Sequence, residues 1–251
     1  MTKRISIFGT RVNITNKEEA PALIKSLIGS RSGYVCFPDA FVTVSATKDK
    51  KLQGILNDSL VTFPDGQPMA LYGRRHGHKT MTAVSGYWLC KALLQDAKVS
   101  HYFYGSSEEN LQKIKAKLEA EFPQAHILGY QSPPFVDLPE VENNEAILAD
   151  INMINALQPD IIWIGMNSPK QDYLMAYYSA HLDHSIMIGV GGVFDYLSGV
   201  LKISPEWVKK LSLRWVYRVF QNPKRYFKRS MVAIFSFLKC YVLESFFRKK
   251  Y

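Results

Sequence analysis

The chain has 251 residues, 47% of them hydrophobic, enough for one sizeable α/β core plus an appendage; no 20–50-residue repeat or low-complexity segment argues for an array or a disordered chain. Its three cysteines (Cys36, Cys90, Cys240) are scattered and odd in number, which argues against a disulfide framework and fits a reducing cytosol, and the basic N-terminus lacks the apolar run of a signal peptide. The net charge of +9 is unevenly spread: residues 202–251 carry 13 Lys/Arg against two Asp/Glu and residues 1–201 carry 18 against 20, so a boundary is expected near Leu201, between a core of 1–201 and a basic appendage of 202–251.

Ser6–Phe8 and Val12–Ile14 have the composition of short strands, a hairpin about Gly9–Arg11. Asn16 is placed to cap a helix, with Glu18 and Glu19 in its first turn. Tyr34–Phe37 and Phe41–Val44 are β-rich, and Thr47 is expected to cap a helix reaching about Asn57. Leu60–Phe63 reads as a strand stopped by Pro64-Asp65-Gly66, followed by helical spacing over Gln67–Arg75 and Gly86–Ala97. His101–Tyr104 is a strand ending in Gly105-Ser106-Ser107. The amphipathic helix Glu108–Glu121, the strand His126–Tyr130, the Pro-rich loop Gln131–Phe135 and the helix Asn144–Leu157 follow. Ile161–Met166 and Ile186–Val190 are continuous apolar runs with a helical segment between them, the pattern of buried parallel strands. The fold class is therefore a doubly wound, mostly parallel α/β sheet, Rossmann-like, with a helical C-terminal appendage.

In such a sheet the loops beyond the carboxyl ends of the strands form one rim. That rim is expected to gather Thr43 and Ser45, Asp65 and Gly66, Gly105 and Ser106, Gln131, Ser168–Gln171 and Gly191–Asp195. It is rich in glycines and helix starts, which bind phosphate through backbone N–H groups. There is no Asp-x-Asp pair, no Walker lysine and no complete G-x-G-x-x-G, so a nucleotide diphosphate compound bound without an essential metal is expected, with a carboxylate as general base. The missing glycine fingerprint argues against a dinucleotide-dependent oxidoreductase. The pairs His76/His78 and His181/His184 lack a third ligand at metal-binding spacing and read as surface histidines.

An ordered set of motifs carries a family resemblance. It comprises Phe41-Val-Thr-Val, Val61-Thr-Phe-Pro-Asp-Gly-Gln-Pro, Phe103-Tyr-Gly-Ser, Ser132-Pro-Pro-Phe, Ser168-Pro-Lys-Gln-Asp, Gly189-Val-Gly-Gly-Val-Phe-Asp, Trp215-Val-Tyr-Arg and Pro223-Lys-Arg-Tyr. From about residue 12 to 230 the chain resembles the WecG/TagA/CpsF glycosyltransferases (glycosyltransferase family 26). The resemblance implies an inverting, metal-independent enzyme that moves a sugar from a UDP-sugar to a lipid-diphosphate-linked saccharide, with no cofactor. It implies Asp65 as general base, Thr43 as a second catalytic position, and Ser45, Gly66, Tyr104, Gly105, Gln171, Gly191, Gly192 and Asp195 as substrate-binding positions. The chain departs from the family pattern at Ser45, Ala83 and Trp88, where an amide, an arginine and a carboxylate are usual. A changed sugar specificity is the expectation these departures raise; a non-catalytic nucleotide-sugar-binding or scaffold protein is the alternative.

In the appendage, Val208, Leu211, Trp215 and Val219 share one helical stripe, and Val232–Phe247 is an aromatic-aliphatic run interrupted by Lys239 and Glu244. It is too short and too interrupted to span a bilayer and reads as an interfacial helix on an anionic membrane. No nucleic-acid module is present, and nucleic acid is not an expected partner. The family further implies that the appendage closes over the site, bringing Arg214, Arg218, Arg225 and Arg229 to the lipid-linked diphosphate. The expected place is cytoplasmic, peripheral on the inner face of the cell membrane. The sequence is also compatible with a homo-oligomer.

Overall fold

The structure is a computed structural model and describes residues 3–134, 144–210 and 213–248. Phe135 of the Pro-rich loop and Leu211 of the appendage stripe lie outside those residues. An antiparallel hairpin, β1 (Arg4–Ile7) and β2 (Thr10–Asn13), pairs Ile5 with Val12. After α1 (Ala20–Lys25) come β3 (Gly33–Cys36), α2 (Ala40–Lys48), α3 (Lys50–Asp58), β4 (Val61–Thr62), α4 (Gln67–Arg75) and α5 (Gly86–Leu94). The next elements are β5 (Ser100–Gly105), α6 (Glu108–Glu121), β6 (His126–Gln131), α7 (Glu145–Leu157), β7 (Ile161–Gly165), α8 (Lys170–Tyr178), β8 (Ile186–Gly189) and α9 (Val193–Leu197). Three helices close the chain: α10 (Glu206–Lys210), α11 (Arg214–Gln221) and α12 (Pro223–Arg248).

Strands β3 to β8 form one six-stranded sheet in the order β4-β3-β8-β7-β5-β6, parallel at every pairing. Alternation along the strands feeds two cores. Phe103, Ile161, Trp163, Ile186 and Ile188 pack on one face; Tyr102, Tyr104, Ile162, Ile164 and Met187 pack on the other. Both faces are covered by helices, so the central strands β7 and β8 read as unbroken apolar runs.

Three expectations fail in the first third of the chain. Phe41–Val44 is not a strand but the interior of α2, because Asp39 caps a helix there, accepting from Val42 N at 2.9 Å. Thr47 caps nothing: its hydroxyl donates back to Val44 O at 2.7 Å, and Asp49 caps α3 through Leu52 N at 3.0 Å. Both true caps lie three residues before the N–H they accept from. Asn16 holds a turn through Glu19 N at 2.9 Å, and the helix starts only at Ala20.

A third apolar cluster ties the hairpin to the appendage. Ile7, Val12, Val44, Met69, Tyr72 and Met81 receive Phe237 of α12, whose side chain is 8% exposed. Tyr72 Oη donates to Glu244 Oε2 at 2.6 Å beside it. α12 therefore runs along α2 with one face inward (Tyr226, Ser230, Ala233, Phe237) and Phe227, Phe235, Leu238, Val242 and Phe246 on the outer face. Among the described residues no helix is long and apolar enough to cross a membrane.

Candidate active site

The connections after β5 and β7 leave in opposite directions across the sheet, which opens a crevice between the carboxyl ends of these adjacent strands. A pocket of about 530 Å³ occupies it, lined by Ser106 and Ser107, Ser132–Pro134, Asn167, Lys170, Gly191, Gly192 and Asp195. A second space of about 540 Å³ continues past Gly191 and Gly192 toward β3 and β4, roofed by α11 and α12. Arg225 stands between the two, donating to Asp195 Oδ2 at 2.8 Å and to Asn167 Oδ1 at 3.0 Å.

The backbone crossings that make this rim need glycine at two points. Gly105 has φ +130°, and a Cβ there would lie 2.8 Å from the Gly165 backbone. Gly191 has φ +52°, and a Cβ would meet Met166 O at 2.9 Å. Gln171 sits beneath this second loop, 3% exposed, and its Oε1 is buried without a hydrogen-bond partner among the described residues. An orphaned acceptor of this kind costs about 1–3 kcal/mol, and it faces a cleft wide enough for a ligand to supply the missing donor.

Asp65 lines the second space where β4 hands over to α4. Its backbone N–H donates to Pro38 O, but among the described residues nothing hydrogen-bonds to its carboxylate. Burial raises its pKa above the usual carboxylate range and Asp39 adds to the rise, while Arg214, Arg218 and Arg229 pull it down. Those arginines come from the roof. Arg229 donates to Asp39 Oδ2 at 3.2 Å and to Ser168 O at 3.2 Å, and stacks over Phe41 at 4.6 Å. Arg218 donates to Tyr196 Oη at 2.8 Å and lies over the Tyr226 ring at 5.5 Å. Asp172, in the first turn of α8, points into the core instead. It accepts from Ser168, and burial pushes its pKa up to about 6 despite the hydrogen bonds from Ser168 and Cys36.

The cleft thus brings together Asp65, Gly66, Gln171, Gly191, Gly192, Asp195, Arg214, Arg218, Arg225 and Arg229. Predicted positions that line neither space include Thr43, Ser45, Tyr104, Gly105 and Gln131, which accepts from Tyr102 and donates to Asp150. Thr43 is fully buried on the side of α2 that meets Met69, its hydroxyl donating to Asp39 O at 2.8 Å. Ser45 back-bonds to Phe41 O at 2.8 Å. Neither lines the cleft, because the segment is a helix and not a strand ending at the rim. Tyr104 points into the core, bonded to Asp150 at 2.6 Å and Tyr178 at 2.7 Å. Gly105 supports the rim without lining either space. Of the family departures only Ala83 lines the cleft; Trp88 does not.

Asp39, Phe41, Tyr87 and Tyr226 line the cleft without having been picked from the sequence. Asp39 carried a usable signal, a carboxylate just past a predicted strand. Tyr226 carried one too, lying next to Arg225 and one turn before Arg229 and Ser230. His76 stacks on Tyr72, and His184 lies 3.6 Å from Asp160. Among the described residues no three His, Cys, Asp or Glu side chains gather to hold a metal ion.

Known proteins bear on this geometry. The chain is similar to N-acetylglucosaminyldiphosphoundecaprenol N-acetyl-beta-D-mannosaminyltransferases. The enzyme of Bacillus subtilis (strain 168) is 27% identical over 188 residues, 74% of this chain and 70% of that protein. That of Bacillus spizizenii is 24% identical over 208 residues, 82% and 77% of the two. That of Staphylococcus aureus (strain MW2) is 23% identical over 245 residues, 94% and 92%. Residues 5–251 match the glycosyl transferase WecG/TagA/CpsF family as a whole, a span that takes in Asp65, the glycine loop after β8 and the arginines of the roof, and the chain belongs to that family.

Proposed function

We propose that the protein transfers an N-acetylhexosamine from a UDP-sugar to the saccharide of a polyprenyl-diphosphate-linked acceptor, inverting the anomeric carbon, in the assembly of a cell-wall polymer. The observation that carries the reading is Asp65, a carboxylate without a hydrogen-bond partner among the described residues, set below a roof of arginines. Support also comes from the relatives, named as N-acetylmannosaminyltransferases of N-acetylglucosaminyldiphosphoundecaprenol.

The step is a single displacement. The acceptor oxygen attacks the anomeric carbon, the bond from that carbon to the UDP oxygen breaks, and the acceptor's proton passes to Asp65. A raised pKa suits this task, making the carboxylate a stronger base, while the arginines oppose the rise. The departing UDP gathers negative charge on its diphosphate. The guanidinium groups of Arg214, Arg218 and Arg225 and the N–H groups of the Gly191–Gly192 loop are fixed counter-charges that need no reorganisation. Gln171 Oε1 takes a hydroxyl or N–H of the donor. Ala83 leaves open the wall where the family usually sets an arginine, so the donor is one whose recognition does not need that charge.

The lipid-linked acceptor would be met at the cytoplasmic face of the membrane. The outer stripe of α12 would sink among the acyl chains while Lys224, Lys228 and Lys239 meet anionic headgroups. UDP release from a panel of UDP-N-acetylhexosamines, with a polyprenyl-diphosphate N-acetylglucosamine as acceptor, tests the reading. Acceptor-dependent release with at least one donor is expected. Tight UDP binding without release from any donor would instead favour the non-catalytic nucleotide-sugar-binding protein.

A further inference from the structure

The proposed function leaves Tyr226, which lines the cleft, without a role. Tyr226 Oη is buried and has no hydrogen-bond partner among the described residues, although its ring lines the second space. The ring lies between two guanidinium groups, Arg218 at 5.5 Å and Arg225 at 5.3 Å from its centroid. Gly192 is the loop residue beside both groups. The position a Cβ would take there is 3.6 Å from Arg218 Nη2 and 3.9 Å from Tyr226 Oη. On the far side of the same loop, that position at Gly191 is 3.4 Å from the orphaned Gln171 Oε1. A phenol with a free proton thus flanks the loop on one side and a free acceptor on the other.

We propose that Tyr226 is a ligand-binding residue that donates its hydroxyl proton to a diphosphate oxygen lying over Gly191–Gly192, with Arg218 Nη2 on the same oxygen or its neighbour. The chemistry fits. A phenol between two cations is a strengthened donor, and an anion is the acceptor that both cations favour. Gln171 cannot accept from a bare phosphate oxygen, so the same ligand must also present an O–H or N–H, as a nucleoside diphosphate sugar does. The inference rests on the proposed function for its ligand class. The diphosphate could be that of the nucleotide or that of the lipid-linked acceptor, and the test separates them.

Tyr226→Phe removes the hydroxyl and keeps the ring between the arginines. Binding to the full chain would be titrated with UDP, with geranyl diphosphate as a soluble prenyl diphosphate, and with uridine as the control lacking phosphate. Loss of a hydrogen bond to a charged group predicts about tenfold weaker binding of UDP, with uridine unchanged. The same loss confined to geranyl diphosphate would place the hydroxyl on the acceptor's diphosphate and support the shared chemistry. Both diphosphates within about twofold of wild type would overturn the inference, as would a parallel loss of uridine, which marks a structural role. Wild-type protein that ignores UDP but binds geranyl diphosphate would sink the nucleotide reading and leave Tyr226 to the second arm; binding neither overturns both.

Discussion

Asp65 is held between opposing influences, and that makes its chemistry testable. Replacing it by Asn keeps the size and removes the base. Turnover should fall on the order of 100-fold or more, while the affinity for UDP stays as it was, because the arginines and the glycine loop are intact. Calorimetry with UDP beside a turnover assay checks this; wild-type turnover would remove Asp65 from the role. Arg229 tunes the same group from a distance. It lowers the Asp65 pKa directly and also covers Asp39, which raises it. Arg229→Gln removes the first influence and leaves Asp39 uncovered, and both changes move the Asp65 pKa upward. The acid limb of the pH–rate profile should therefore move to higher pH, and an unmoved limb would mean that another group sets it.

Elements decide which residues reach the cleft. The central strands were legible because a strand buried on both faces tends to be an apolar run, and β7 and β8 are such runs. α2 was not legible: Phe41, Val42 and Val44 have strand-like side chains, and only the Asp39 cap decides for a helix. That misreading is one reason why Thr43 and Ser45, which the resemblance also set at the site, were expected at the rim; in the helix they lie off it. α12 was legible as two-faced, but its closing over the site came only from the resemblance, since the pocket that takes Phe237 is assembled from the hairpin, α2 and α4, far apart in sequence. Phe237→Ala should cost about 3–5 kcal/mol of this docking. The loss belongs to α12 rather than the sheet. Hydrogen exchange should speed up along α12 and hold its wild-type rate in β5, β7 and β8, whereas unchanged protection of α12 would mean that Tyr72–Glu244 and the arginine contacts suffice.

At the scale of the whole molecule, the charge asymmetry becomes an orientation. The basic last fifth supplies the inner arginines of the cleft and the outer lysines beside an apolar stripe that includes Phe235, 69% exposed. Serine at both Phe235 and Val242 should abolish flotation with anionic vesicles while UDP still binds. High salt should weaken wild-type flotation, because the lysine contribution is screened; flotation that survives both would place the membrane contact elsewhere.

Proton linkage also acts on the molecule as a whole. His101 of β5 lies buried, accepting from Trp163 Nε1 of β7 at 3.2 Å, and burial depresses its pKa to about 4 from 6.5. Folding therefore favours the neutral ring, and this stability is present above pH 6.5 and lost as the pH falls toward 4. Asp172 has the opposite sign. Burial raises its folded pKa to about 6 from 3.8, so its contribution is present below 3.8 and lost as the pH rises through 6. Between pH 4 and 6 the unfolded chain holds a proton on the histidine that the native state lacks, and the native state holds one on Asp172 that the unfolded chain lacks. The two slopes, each up to about 1.4 kcal/mol per pH unit, offset one another. Asp172→Asn keeps an acceptor for Ser168 and removes one side of that balance. Its unfolding free energy should then fall with acidification across this window more steeply than that of the wild type, by about 1 kcal/mol per pH unit. Urea titrations of both proteins at several pH values measure the difference, in which every other titrating group cancels, and parallel pH dependences would mean that Asp172 stays ionised in its buried place.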